Sequence, residues 1–238
     1  MGKDHLFRLV APKTWPIRRK TTKWIARPLP GPHPLKESIT LSIIIRDILE
    51  YAKTTKEVKR ILNNKSLLVD KVARTDYKFP VGFMDVIDFP SLNESYRVIY
   101  DDKGVFTLIN INKNESNLKL LGIIRKTIIK KGRTQVTLHD GRNIIVENFK
   151  GKIGDTILFD VVKKSVNKLL PLEKDSLVFL NGGTHIGSIG KVKDVIKSKD
   201  LEKPRVVVEI EGKNYDTLSK YAFVIGHDKP ELSLGVKK

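Results

Sequence analysis

Residues 54–87, TTKEVKRILNNKSLLVDKVARTDYKFPVGFMDVI, pass from a helical hydrophobic period to a strand-like one within a single short stretch. Thr54 and Glu57 have capping-box spacing, and Val58, Ile61 and Leu62 follow as an i, i+3, i+4 stripe. This predicts a short helix whose other face carries Lys56, Lys59 and Arg60. Asn63-Asn64 can supply the left-handed residue that ends it, and Ser66–Asp70 reads as a short strand. Lys65, Lys71, Arg74 and Lys78 crowd the loop beyond. Upstream, Leu41, Ile44, Ile45, Ile48, Leu49 and Ala52 fall at i, i+3, i+4, i+7, i+8 and i+11, which predicts a preceding helix. A cationic helix face either meets a polyanion or is merely solvated. Residues 37–100 carry ten basic and nine acidic side chains, a net of +1, which leaves both readings open.

The segment before these helices has a different composition. Residues 1–36 hold nine basic side chains and one acidic one, and Pro12, Pro16, Pro28, Pro30, Pro32 and Pro34 forbid a long helix and favour an extended path. Only a short helical turn around His5–Val10 is compatible with the pattern. Lys13, Arg18, Arg19, Lys20, Lys23 and Arg27 run through the stretch with Trp15 and Trp24 interleaved. Basic side chains neutralise phosphate and indoles stack on bases or riboses, so the arm reads as an RNA-binding extension that orders on binding. The alternative is a solvated basic tail whose tryptophans pack on the neighbouring domain.

From Tyr96 onward the helical period gives way to short β-branched runs between turns. Arg97–Tyr100 and Val105–Ile111 flank DDKG, Gln135–Leu138 and Asn143–Glu147 flank HDGR, and Val206–Ile210 precedes EGK. Each is a hairpin signature. Successive strands without helices between them predict small barrels rather than a parallel sheet. Within this region RKTIIKKGRT places Arg125, Lys126, Lys130, Lys131 and Arg133 in nine residues, either a phosphate-binding tip or a solvated one. The later stretch FLNGGTHIGSIGKVKDVI resembles the glycine-bearing KOW motif of ribosomal proteins and transcription elongation factors, with Gly187 and Gly190 bending a strand pair and Val192, Val195 and Ile196 returning to the core. It is not a nucleotide loop: a P-loop needs glycine at 185 and Ser or Thr at 192, where His185 and Val192 stand.

The chain has 238 residues, no cysteine and a net charge of +18. Without cysteine, disulfide scaffolds, thiolate zinc sites, iron–sulfur clusters and cysteine nucleophiles are excluded. The longest apolar run, Leu41–Ile45, is too short to span a bilayer, and a cytosolic protein is expected. So large a positive surplus points to a nucleic-acid partner. Residues 1–36 hold +8 of it, residues 101–238 hold +9. Five widely spaced histidines make no metal motif, and Asp85 and Asp88 in FMDVIDF read as turn or cap residues more readily than as a catalytic pair.

The quoted stretch 54–87 resembles the α-L RNA-binding module shared by ribosomal proteins, tyrosyl-tRNA synthetases and pseudouridine synthases. Preceded by GKDHLFRLVAPKTWPIRRKTTKWIARPLPGPHPLKESI, it is similar to the archaeal and eukaryotic type of small-subunit ribosomal protein four, archaeal in type because the chain stops soon after the KOW stretch. The resemblance implies that Lys56, Lys59, Arg60, Lys65, Lys71 and Arg74 face RNA, and it covers the chain in the family's order. The expectation is an α+β protein: a basic arm (1–36), an α-L module (37–100), a central β domain (101–172) and a KOW-like barrel (173–238). Expected partners are the small-subunit rRNA and neighbouring ribosomal proteins, with no cofactor, metal, membrane, small-molecule substrate or homo-oligomer. The rival readings are an RNA-modifying enzyme, which needs a mixed α/β catalytic domain of roughly 150 residues or more, and a KOW-type regulator, which has no need of the arm.

Overall fold

Both expected helices form in the computed structural model, which describes residues 5–147, 149–196 and 203–235. The first is shorter than its stripe. α1 (Leu41–Ile43) runs directly into a π-helical turn (Ile44–Ile48), where the Leu49 N–H reaches five residues back to the Ile44 carbonyl at 2.9 Å. Glu50, at φ 55°, closes the helical path before Ala52 is reached. α2 (Thr55–Asn63) has the full capping box, with Val58 and Leu62 buried. Its left-handed terminator is Lys65 (φ 54°), whereas Asn64 stays at φ −73°. The first residue past the helix is spared the strain, and the reversal falls one position later than Asn63-Asn64 suggests.

Strands make up the rest. The first group comprises β1 (His5–Phe7), β2 (Trp24–Ala26), β3 (Ser38–Thr40), β4 (Leu68–Val69), β5 (Val72–Ala73), β6 (Pro80–Gly82), β7 (Val86–Phe89), β8 (Glu94–Tyr100) and β9 (Phe106–Asn110). β1 and β2 form an antiparallel ribbon, β3 pairs with β6, and the others form a five-stranded sheet in the order β5-β4-β7-β8-β9. The β4–β5 turn is two residues, Asp70 (φ 49°) and Lys71 (φ 63°), both left-handed as a type I′ hairpin requires. Asp70 tolerates this geometry because its carboxylate accepts the Val86 N–H at 3.1 Å.

The chain divides into two compact units, one running through residue 100 and resuming at 105–117, the other formed by 101–104 and 118 onward. β9 pairs with β8 and so belongs to the first unit, which extends beyond residue 100, the end expected for the α-L module. Arg97, fully buried on β8, fastens the segment that follows β9. Its Nη1 lies 3.6 Å from the Glu115 carboxylate, and Nη2 donates to the Glu115 carbonyl at 3.2 Å. Burial pulls the Arg97 guanidinium below its usual range, and Glu115 opposes the shift.

In the second unit β10 (Leu118–Ile128), β11 (Thr134–Leu138), β12 (Asn143–Val146), β13 (Thr156–Asp160) and β14 (Ser165–Leu170) form a curled antiparallel sheet in the order β12-β11-β10-β13-β14. A bulge between Ile123 and Arg125 bends the long β10. Leu121, Val136, Ile157 and Phe159 fill its core. β15 (Leu177–Leu180), β16 (Ile189–Ile196), β17 (Arg205–Ile210), β18 (Lys213–Leu218) and β19 (Ala222–Gly226) form a second sheet, ordered β18-β17-β16-β15-β19. Gly187 adopts φ 90°, and a side chain on Gly190 would collide with Val208 and the Glu209 carbonyl, so both glycines are sterically required. Val192 is buried as expected. A register shift between Val192 and Asp194 then reverses the alternation, leaving Val195 half-buried and Ile196 46% exposed instead of in the core. The architecture is α+β with strands predominating.

Candidate nucleic-acid interface

From His5 onward the basic arm is folded, not loose. β1 and β2 pair in the register His5↔Ala26, Leu6↔Ile25, Phe7↔Trp24, which turns Ile25 into the protein and leaves Phe7 and Trp24 on the outer face. Between these strands Arg8 is 8% exposed. Its N–H donates to the Lys23 carbonyl at 3.1 Å and its Nη1 to the Arg18 carbonyl at 3.0 Å. A short 3-10 turn occupies Arg8–Val10, close to the expected helical turn.

Several residues expected to face RNA have partners within the fold, Trp15 buried, Arg19, Lys71 and Arg74 half-buried and Lys126 exposed. Trp15 is 3% exposed and its indole N–H donates to the Ser38 carbonyl at 2.7 Å, so no ring face is open to a base and it is a core residue. Arg19 clamps the loop before it, donating to the Ala11 and Pro12 carbonyls, each at 2.8 Å. Lys71 is half-buried: its ammonium lies 3.1 Å from Asp88 and donates to Ser116 Oγ at 2.6 Å. Arg74 stacks 4.4 Å over the Phe79 ring, and Lys126 donates to the Phe149 and Gly151 carbonyls at 2.8 and 3.2 Å. The carbonyls of irregular loops need donors, and long cationic side chains supply them.

The remaining candidates form two exposed basic sets. In the first unit these are Lys13, Arg18, Lys20, Lys23, Lys56, Lys59, Arg60 and Lys65, with Arg27 half-buried. On α2 the helical period separates Lys56, Lys59 and Arg60 from the inward Val58 and Leu62. Lys59 lies 4.7 Å over the Tyr77 ring, and Lys23 lies 5.3 Å over Trp24. In the second unit Arg125, Lys130 and Arg133 are exposed around the β10–β11 turn, which Gly132 (φ 70°) closes; the side chain of Lys131 lies outside the described residues. Among the described residues, none of these exposed cations is within ion-pair distance of a carboxylate. The acids are spent elsewhere: Glu57 on the α2 cap, Asp88 on Lys71 and Ser95, Asp140 on the buried Lys119.

The α2 face keeps its orientation because the cap is charged. The Glu57 carboxylate accepts the Lys53 N–H at 2.8 Å and the Thr54 hydroxyl at 3.0 Å, and these bonds hold it below the usual carboxylate range, the Lys53 bond contributing most. Asp85 and Asp88 both have structural partners. Asp85 accepts the Gly82 N–H at 2.8 Å and the His33 ring at 3.0 Å, both buried, and Asp88 accepts the Ser95 hydroxyl at 2.6 Å. No cluster of three potential metal ligands occurs among the described residues, and no helix among them is long and apolar enough to cross a membrane.

Arg8, Arg46 and Tyr77 escape a reading of the sequence. They come from three separate segments and converge near Trp24 and Lys78 only once the ribbon has docked beside α2. Local pattern carries no trace of such a meeting.

Comparison with known proteins is consistent across the chain. The family model described as "Ribosomal family S4e" matches residues 92–166, and the "RS4NT (NUC023) domain" matches residues 1–36. The protein named small ribosomal subunit protein eS4 of Archaeoglobus fulgidus is 43% identical over 236 residues, covering 98% of each chain. Its counterpart from Methanosphaera stadtmanae is 41% identical, covering 98% of this chain and 96% of its own. The crystal structure of the 30S ribosomal protein S4e from Thermoplasma acidophilum superposes with a TM-score of 0.69 at 32% identity, covering 80% of this chain and 95% of that one.

Proposed function

Because the chain belongs to the S4e family of small-ribosomal-subunit proteins, we propose that its exposed cations bind small-subunit rRNA through phosphate and shape contacts and so support subunit assembly. The protein is a structural constituent of the ribosome, in the cytoplasm, and not an enzyme. One observation carries the RNA-binding reading: among the described residues the exposed cations have no acidic partners, and they sit on the loop that the β1–β2 ribbon closes, on the capped α2 and its end, and on the glycine-closed β10–β11 turn. Charge left uncompensated on rigid elements gains its counterion-release energy on meeting phosphate without first ordering the chain. Lys13, Arg18, Lys20, Lys23, Trp24, Arg27, Lys56, Lys59, Arg60, Lys65, Arg125, Lys130 and Arg133 are the contacts this reading favours, with Arg74 and Lys126 giving their loops shape. Neighbouring ribosomal proteins are the expected protein partners.

The test is a salt titration of rRNA binding. Replacing Lys13, Arg18, Lys20 and Lys23 together by glutamine should lower the log–log slope by about 3, at roughly 0.7–0.9 per phosphate contact. The fold should be retained, since among the described residues none of the four side chains makes a hydrogen bond or ion pair, and Lys23 only lies over the exposed Phe7 and Trp24 rings. An unchanged slope would remove the arm from the interface. The enzyme reading is not favoured: β10–β14 and β15–β19 form two curled antiparallel sheets, and the relatives are named as ribosomal proteins.

A further inference from the structure

A hollow of about 340 Å³ opens in the first unit where the β1–β2 ribbon, the π-helical turn, the start of α2 and the Tyr77–Lys78 segment converge. Four cations line it, Arg8, Arg27, Arg46 and Lys78, and among the described residues no aspartate or glutamate does. Arg46 is steadied from outside the lining by Asp47, 2.8 Å away, and donates weakly to Thr55 at 3.4 Å. Arg8 holds the floor of the ribbon through Nη1, while its Nε is buried with no hydrogen-bond partner. Arg46 is already paired with Asp47, but among the described residues Arg27 and Lys78 have no carboxylate partner and Arg8 Nε is a buried donor without an acceptor, so the hollow still favours an anion.

Aromatic surface lies in the same wall. Trp24 leans on Phe7 and His5, with ring centroids 4.4 and 5.1 Å away, yet remains 44% exposed, and Tyr77 lines the opposite segment. A free inorganic anion would use the cations and ignore the rings. A polyanionic helix would use the rim and leave the hollow empty. One unpaired nucleotide uses both, its base on an aromatic face and its phosphate among guanidinium and ammonium groups. The volume is at the small end of ligand sites and excludes a duplex.

We propose that this hollow receives a single unpaired nucleotide of the bound RNA, its base against Trp24 and Tyr77 and its phosphate beside Arg27, Arg46 and Lys78. The inference rests on the RNA-binding reading and adds to it a selectivity that phosphate contacts alone do not give. A site of this kind distinguishes RNA with an extruded base from fully paired RNA of equal charge.

The two tryptophans supply the readout. Trp15 is buried with its N–H bonded, so quenching by a stacked base reports Trp24. The full-length protein is titrated with a hairpin RNA carrying one bulged adenosine, with the same hairpin fully paired, and with adenosine monophosphate. Stacking tolerates any base, so the sequence around the bulge is immaterial. The bulged hairpin should bind about tenfold tighter than the paired one and quench emission, the effect of one base stacked on one ring. Trp24→Leu should abolish the quench and the preference. Arg27→Gln with Lys78→Gln, folded by circular dichroism, should reduce the preference without touching the tryptophan. Equal binding of the two hairpins, or a preference surviving Trp24→Leu, overturns the pocket while leaving RNA binding intact. Adenosine monophosphate quenching at the same concentrations as the bulged hairpin reassigns the hollow to a free nucleotide and also overturns it. Binding of neither hairpin nor small-subunit rRNA sinks both this inference and the reading beneath it.

Discussion

Replacing Trp15 by alanine is expected to destabilise the first unit by about 3–5 kcal/mol, since it deletes a buried aromatic and leaves the Ser38 carbonyl without its donor. Trp24→Ala, at an exposed position, should change stability by less than about 1 kcal/mol. Urea denaturation of the two variants separates them, and comparable losses would contradict the burial difference. Composition groups these residues together: both are indoles in a proline-rich basic arm, at nearly the same local charge density. Their division of labour comes from strand register, which sets Trp24 opposite Phe7 on the outer face, and from a tertiary contact 23 residues away for Trp15. Neither relation has a local signature. The same holds for Arg19 and Lys71, whose charges suggest phosphate and whose donors are claimed by carbonyls and by Asp88 and Ser116.

At the scale of elements, the α2 cap should be sensitive to both mutation and pH. Thr54→Ala removes the side-chain acceptor of the Glu57 N–H and should cost about 1 kcal/mol. Because folding holds the Glu57 carboxyl below its unfolded range, its contribution is present above the unfolded value and is lost as pH falls through the folded one. Glu57→Gln should therefore flatten the acid limb of the stability profile relative to the parent, and parallel acid limbs would dismiss the effect. This cap was legible because its spacing is its mechanism. So were the hairpins at Asp101–Gly104, His139–Arg142 and Glu211–Gly212, where turn chemistry is written into the residues. Elements whose geometry depends on partners were not. The Asp70-Lys71 turn lacks the glycine that advertises a type I′ hairpin and relies on Val86 to hold Asp70, and the bulge near Lys193 that exposes Ile196 is invisible to a strict two-residue alternation.

For the molecule as a whole, every strand pairing of β1–β9 closes within residues 5–110, and Arg97 secures Glu115. A fragment of residues 1–117 should therefore unfold in one cooperative transition by circular dichroism and bind rRNA with a smaller salt slope than the full chain, because the basic turn at 125–133 is absent. A non-cooperative melt, or an undiminished slope, would count against this division of the chain. The arm's attachment also has a consequence for synthesis. Thr14 accepts the Phe106 N–H at 2.8 Å, so the arm cannot complete its docking until roughly ninety further residues have been translated. At ordinary elongation rates that leaves it waiting for on the order of 5–20 s. During that interval a nascent chain trails a cationic, tryptophan-bearing leader whose ribbon can pair but whose docking site is unfinished, and in a cell full of RNA its first binding partner is chosen before its own core is complete.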